Sequence, residues 1–200
     1  MKPPLRSLIL LLIVAGMALT ATLAWRQWTR TAIGEAEQQL QAQQFLAVLP
    51  AKSYDNHPLA APLQLPAVQA SHSQIIAAYR ASRGNTATAV VLVSQVQGYA
   101  APIRLTIAIS VDGRLIGTQV IEQHESPGLG GRIADPQLNW LAQFAHRRLE
   151  DRWALQRDQG DFDQLAGATV TSRAVIEAQQ DALRYFDQYR ALLLGNSAHE

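Results

Sequence analysis

The chain contains no cysteine among its 200 residues. Without thiols it can form no disulfide, and it cannot ligate zinc through thiolates, bind an iron–sulfur cluster or attach a c-type haem. Any redox group on this chain must therefore be held by other chemistry.

A marked excess of one charge sign is also missing. The chain has 17 Lys and Arg against 16 Asp and Glu. A nucleic-acid-binding protein needs excess basic side chains to neutralise phosphates. We therefore exclude nucleic acid as a partner.

Most familiar catalytic and metal-binding motifs are absent too. The five histidines lack the spacing of metal ligands, so we predict no metal site. There is no G-x-S-x-G elbow, no P-loop and no G-x-G-x-x-G unit between a strand and a helix. A hydrolase or nucleotide-binding enzyme of a common type is therefore disfavoured.

One long apolar run lies near the start of the chain. From Ser7 to Trp25 the sequence carries no charge, and two basic residues flank it on each side, which leaves its orientation open. About 20 apolar residues span a bilayer as a helix. We expect residues 1–30 to form a membrane anchor spanning at about 7–25. A cleaved signal peptide is the alternative, but the run is longer than a usual signal h-region.

The remainder divides by its sequence pattern. Residues 31–70 indicate a juxtamembrane helix ending at Pro50, then a linker or irregular segment rich in proline and alanine. Residues 71–194 follow as one domain, and residues 195–200 form a tail. Runs of β-branched residues predict four strands, with Asp-Gly as a hairpin turn between the last two. These strands are predicted at 73–80, 87–96, 101–110 and 115–123.

Two segments of the second half predict helices, residues 136–150 and residues 172–194. The second has an apolar stripe. Its members are Val175, Ile176, Ala182, Leu183 and Phe186. Strands followed by packed helices predict an α+β fold, an antiparallel sheet with helices on it.

Two further segments are unusually rich in small residues. The first is HESPGLGGRI, residues 124–133, which follows a predicted strand. Glycines let the backbone approach a ligand closely and leave N–H groups free to bind it. The alternative is a connection that needs only tight turns.

The second segment is DFDQLAGATVTSRAV, residues 161–175. Gly167 and Ala168 lead through Thr169 into the long predicted helix, and a helix N-terminus readily accepts an anion such as phosphate. The alternative is that Thr171 or Ser172 is an ordinary N-cap. Residue types alone favour the N-cap for Thr171 and Ser172, but they do not explain the small pair Gly167-Ala168 before Thr169.

Together these segments resemble the FMN-binding subunits of Rnf (Rsx) complexes and of Na⁺-translocating NADH:quinone oxidoreductases. The second is similar to the family's flavinylation motif, an Asp, two variable residues, Ser or Thr, then Gly-Ala-Thr. The first resembles its Glu-Thr-Pro-Gly-Leu-Gly loop, and the anchor and length are most similar to Rnf G subunits. The chain departs from the family at three positions. Ala166 stands where Ser or Thr is usual, Ser126 where Thr is usual, and Ala101 where Gly is usual.

The resemblance implies an FMN-binding domain with covalent FMN. The phosphate would be joined to the hydroxyl of Thr169 by a flavin transferase that recognises Asp163. The resemblance also assigns the remaining cofactor contacts. These are Glu125, Ser126, Pro127, Gly128, Leu129, Gly130, Gly167, Ala168, Thr171 and Ser172.

It further implies a single-pass protein of the bacterial inner membrane, with its soluble domain on the periplasmic side. Such a subunit relays electrons between other subunits of an ion-translocating Rnf complex. Two alternatives remain: an anchored periplasmic binding or assembly module without redox chemistry, and a C-subunit-like part of the Na⁺-translocating enzyme. We expect Trp140 and Trp153 to pack in the core or at its rim, and Arg132 and Arg173 to be solvated.

Overall fold

A computed structural model describes residues 9–22, 45–50, 52–64 and 70–195. Helix α1 covers residues 9–22 in the first of two units, Met1–Gln43. Within the described ranges no helix is both long enough and apolar enough to cross a membrane. Both ends of the predicted span, and residues 31–44 of the predicted juxtamembrane helix, lie outside these ranges.

The second unit, Gln44–Glu200, is built on a four-stranded antiparallel sheet. The predicted strands are confirmed, and they pair in the order in which they follow one another along the chain. Their bounds are Ser73–Arg83 for β1, Thr86–Gln97 for β2, Pro102–Ser110 for β3 and Leu115–Glu122 for β4. The Asp-Gly turn between β3 and β4 is also confirmed, since Gly113 adopts a φ of 84° that suits glycine.

Two α-helices follow the sheet, α2 at Thr169–Gln188 and α3 at Arg190–Leu194. The predicted single helix over 172–194 was therefore wrong at its start and in its continuity. It begins three residues earlier, and it is interrupted at Tyr189, whose φ of −110° and ψ of 18° are not helical.

The helix predicted at 136–150 was wrong. Only a short 3-10 helix, Trp140–Phe144, forms there. Asn139 and His146 adopt left-handed backbone conformations on either side of it, with φ of 47° and 66°. A right-handed helix cannot continue through such residues. The other 3-10 helices are Pro58–Ala60, Gly130–Ala134 and Gln156–Asp158.

The core lies between α2 and one face of the sheet. All five residues of the predicted apolar stripe on α2 are at most 2% exposed. They pack on β-branched and leucine side chains such as Leu92, Leu105 and Ile107, which are fully buried. Burying a side chain of this size contributes roughly 1.5–3 kcal/mol, so this layer is the main stabilising contact of the domain.

Residues before β1 cover part of the opposite face. Leu49 packs there with Ala81, Ala89 and Val91, and Tyr54 lies against the same cluster. Pro62 forms an isolated antiparallel bridge with Tyr79 of the edge strand β1. The described part of the irregular segment is thus packed on the sheet.

Side chains also join the first strand to the last helices. Asp181 of α2, 1% exposed, accepts hydrogen bonds through Oδ2 from the backbone N–H groups of His72 and Ser73. Arg80 of β1 donates through Nε to the carbonyl of Leu193 at 2.6 Å and through Nη2 to that of Leu192 at 2.8 Å. These bonds connect residues more than 100 positions apart.

Candidate functional site

The start of α2 forms one wall of the site. The first helical hydrogen bond runs from the N–H of Ser172 to the carbonyl of Ala168, so the three preceding amides have no partner within the helix. Ala168 is the N-cap residue and offers no side-chain cap. Free N–H groups and the positive end of the helix dipole together favour an anion at this end.

The prediction that Thr171 or Ser172 caps α2 was wrong, because both lie inside its first turn and are buried. Ser172 donates through Oγ to the carbonyl of Ala168 at 2.8 Å and accepts from the N–H of Leu165 at 2.9 Å. It therefore fixes the segment before the helix, residues 161–168, which we call the motif loop.

Thr171 instead contacts Glu125, in the segment that we call the glycine loop, residues 124–131. Its hydroxyl donates to Glu125 Oε2 at 2.5 Å, while Glu125 Oε1 accepts from the N–H of Ala100 at 2.9 Å. Glu125 is only 6% exposed. One carboxylate, with a donor on each oxygen, thus joins α2, the glycine loop and the turn after β2.

The glycines of the two loops allow close packing or special backbone conformations, whereas the sequence had suggested that they let a ligand approach the backbone. A Cβ on Gly130 would lie 2.6 Å from Glu125 Oε2 and 2.7 Å from Thr171 Oγ1. A Cβ on Gly167 would lie 2.8 Å from the Leu129 side chain. Gly128 is different, because it has open space around it but a φ of 79°. Gly130 is therefore required by close contacts, whereas Gly128 and Gly167, whose φ is 73°, are required by their backbone conformation.

Between the two loops lies a cleft of about 370 Å³. Its volume falls in the range of small-molecule sites. The structure brings together eight of the predicted contact residues in its lining. These are Glu125, Ser126, Leu129, Gly130, Gly167, Ala168, Thr169 and Thr171.

Four other predicted residues do not line the cleft. Pro127 and Gly128 form the outer turn of the glycine loop, Ser172 is buried behind the wall, and Asp163 is exposed on the motif loop. Sequence reasoning missed Tyr99 and Val170, which are 74% and 51% exposed and line the cleft. The sequence offered only weak signals for them, an aromatic residue two positions after β2 and an apolar residue between two threonines.

Thr169 lies at the first position of α2 and is half-buried. Its hydroxyl donates to Gln164 Oε1 at 3.1 Å. It is the hydroxyl of the cleft that lies beside the free amides of the helix, whereas the Thr171 hydroxyl is turned into the buried contact with Glu125.

An aromatic cluster supports the motif loop from below. Trp140 and Trp153, each 8% exposed, pack with Phe144 and Phe162, which confirms that both are packing residues. Trp140 Nε1 donates to the carbonyl of Asp163 at 3.0 Å. Because the backbone of Asp163 is held in this way, its side chain is free to point to solvent.

Arginines lie near the mouth of the site. Arg173 Nη2 donates to Asp158 Oδ2 at 2.9 Å, and this hydrogen bond is the main reason that the pKa of Asp158 is lowered. Arg157 Nε lies 3.7 Å from Asp158 Oδ1. Both arginines are about half exposed.

Known proteins are similar to this chain in sequence. The FMN-binding domain family matches residues 98–184, from the turn after β2 into α2. The G subunit of the ion-translocating oxidoreductase complex of Pseudomonas aeruginosa is 40% identical over 189 residues, which cover 90% of this chain and 86% of that protein. The chain belongs to this G-subunit family. The corresponding G subunit of Escherichia coli K12 is 36% identical over 169 residues, 82% of each chain.

Two solved structures are also similar to this family member. NqrC of Shewanella oneidensis is 20% identical, with a TM-score of 0.47 over 64% of this chain and 73% of that one. The C subunit of the Na⁺-translocating NADH-quinone reductase of Parabacteroides distasonis is 20% identical, with a TM-score of 0.45 over 60% and 63%.

Proposed function

We propose that this chain is an electron-carrying subunit of an ion-translocating oxidoreductase complex and that it holds FMN covalently through Thr169. The observation that carries the proposal is the place of the Thr169 hydroxyl, in the cleft and beside three backbone amides without helical partners. A phosphate on this oxygen lies where amides and helix dipole favour an anion.

The cleft fits the two halves of FMN. Its phosphate end is polar, with Thr169 and the free amides of α2. Tyr99, Leu129 and Val170 supply apolar surface elsewhere in the lining, which suits a planar ring system. Bound FMN would supply one- and two-electron transfer.

The protein itself serves to hold and orient the FMN. The Glu125 carboxylate fixes the position of the glycine loop against α2, so the wall of the cleft is formed before a cofactor arrives. A phosphoester to Thr169 prevents dissociation while leaving the ring unmodified. The chain then needs no noncovalent affinity high enough to retain FMN.

We propose the wider setting from the sequence, and membership of a family of membrane-complex subunits supports it. Residues 7–25 anchor the chain in the bacterial inner membrane, and the domain faces the periplasm. There a covalent link is useful, because lost FMN is not recaptured. A flavin transferase recognises Asp163, whose exposed side chain is accessible to another protein. Electrons pass through the domain between other subunits of the complex.

The test uses Thr169→Val in the full-length chain, coexpressed with a flavin transferase. Thr86→Val, at an exposed position of β2 away from the cleft, is the matched control. We expect the wild type and the control to gain the mass of one FMN and to fluoresce on a denaturing gel, and Thr169→Val to do neither. A fluorescent Thr169→Val band would contradict the assignment, and a colourless wild type would favour a binding module without redox chemistry.

A further inference from the structure

The partner of the Thr169 hydroxyl is a side chain that the flavinylation motif leaves variable. Thr169 Oγ1 donates to Gln164 Oε1 at 3.1 Å. The residues on either side of Gln164 are fixed, since the N–H of Asp163 donates to Gln143 Oε1 and that of Leu165 donates to Ser172 Oγ. The amide of Gln164 is thus held within reach of the acceptor oxygen, although Gln164 itself is exposed.

This hydrogen bond cannot survive modification of Thr169. When the phosphoester forms, a bond joins Oγ1 to phosphorus and a diphosphate bond breaks in the donor, a flavin dinucleotide. The nucleoside monophosphate half leaves with the electron pair, the hydroxyl proton passes to a base of the transferase, and the flavin keeps its oxidation state. On the side of Thr169 the Gln164 carbonyl oxygen would then face only acceptors, the ester oxygen and the phosphate oxygens.

A glutamine can avoid placing its carbonyl oxygen against these acceptors by turning its side-chain amide. Half a turn about the last side-chain torsion replaces the carbonyl oxygen by the NH₂ group, which can donate to a phosphate oxygen. The turn gives up one weak contact, since Arg157 Nη1 donates to Gln164 Oε1 at 3.5 Å. The positive charge of Arg157 then stays on this side of the cleft, where it can pair with the phosphate.

We propose that Gln164 is a positioning residue with two successive roles, which rests on the proposed attachment of FMN to Thr169. Before modification its carbonyl oxygen accepts the hydrogen bond of the Thr169 hydroxyl and fixes the direction of Oγ1. During and after modification its NH₂ group donates to the phosphate. Glutamate can fill the first role but not the second, and methionine, of similar length, can fill neither.

The experiment measures the rate of FMN incorporation by intact mass, using the purified full-length chain, flavin transferase and flavin adenine dinucleotide. Gln164→Met and Gln164→Glu are compared with the wild type and with Gln156→Met. Gln156 is an exposed glutamine of the nearby 3-10 helix, with no side-chain hydrogen bond in the described residues. Thermal unfolding of each unmodified variant and the ³¹P shift of each loaded variant complete the set.

We expect Gln164→Met to load at least about tenfold more slowly than the wild type, the size of one lost hydrogen bond to a charged group. Gln164→Glu should load more slowly still, because its carboxylate repels the phosphate. The control should match the wild type, unfolding temperatures should not change, and the ³¹P shift should move only in the Gln164 variants.

Several results would overturn the proposal. Loading of Gln164→Met at the wild-type rate removes the first role, and loading of Gln164→Glu at the wild-type rate removes the second. A parallel fall in unfolding temperature would make Gln164 a structural residue. A wild type that takes up no FMN is a separate outcome, since it refutes the attachment to Thr169 itself.

Discussion

The glycine loop and the motif loop form opposite sides of one cleft, yet they are held in contrasting ways. The glycine loop is fixed from inside, by the buried Glu125 carboxylate and by glycines packed against it. The motif loop is fixed through its backbone, by Trp140, Gln143 and Ser172, while its side chains at positions 163, 164 and 166 are exposed. A rigid wall thus faces a segment that keeps its side chains available to other molecules.

The largest expected effect is in the glycine loop, at Gly130→Ala. The added Cβ would contact Glu125 and Thr171 at about 2.6–2.7 Å, so we expect a loss of about 3 kcal/mol in the free energy of unfolding and a distorted cleft. Gly128→Ala is the matched control, with open space but a φ of 79°, and should lose only about 1 kcal/mol. Chemical denaturation measures both. Equal losses would mean that Glu125 is not rigidly held.

A smaller effect is expected in the motif loop, at Trp140→Phe. The change removes the hydrogen bond to the Asp163 carbonyl and should lower the free energy of unfolding by about 1 kcal/mol. Amide hydrogen exchange in residues 163–166 should accelerate as the loop loosens. Trp153→Phe is the control, because its Nε1 donates to Arg148, outside this loop. If both variants loosened the loop equally, the backbone contact would not be what holds it.

The smallest effect concerns pH at the base of the motif loop. A hydrogen bond from Arg152 is the main reason that the pKa of Asp161 is lowered from its ordinary value of 3.8. Since the folded-state pKa is the lower one, this ion pair contributes fully above about pH 3.8 and is lost as pH falls through the folded-state value. Arg152→Gln should raise the pKa of Asp161 towards 3.8, as measured by NMR titration. An unchanged pKa would show that the pair does not form in solution.

Local sequence patterns predicted most of the fold. β-branched runs and the Asp-Gly turn are local signals, and all four strands formed where they were expected. The prediction of a helix at 136–150 was wrong because Asn139 and His146 adopt left-handed conformations, and neither residue is a glycine that would have signalled this. Left-handed conformations at such residues are set by tertiary contacts, so local patterns carry little warning of them.

The candidate site was predicted less completely, because its key contacts are not local. Thr171 has the residue type of an N-cap, but its partner, Glu125, lies 46 positions away in the chain. The motif resemblance selected Thr169 without showing which side chain contacts its hydroxyl. Gln164 and Tyr99 became visible only when the loops were brought together in space.

The bonds from Asp181 and Arg80 have a consequence for the order of events during biosynthesis. The first strand is joined to helices at the far end of the domain, so β1 cannot complete its contacts until those helices have been synthesised. Such long-range closure delays folding relative to translation. The domain therefore completes its folding late in synthesis, and its cleft, which includes the start of α2, forms only then.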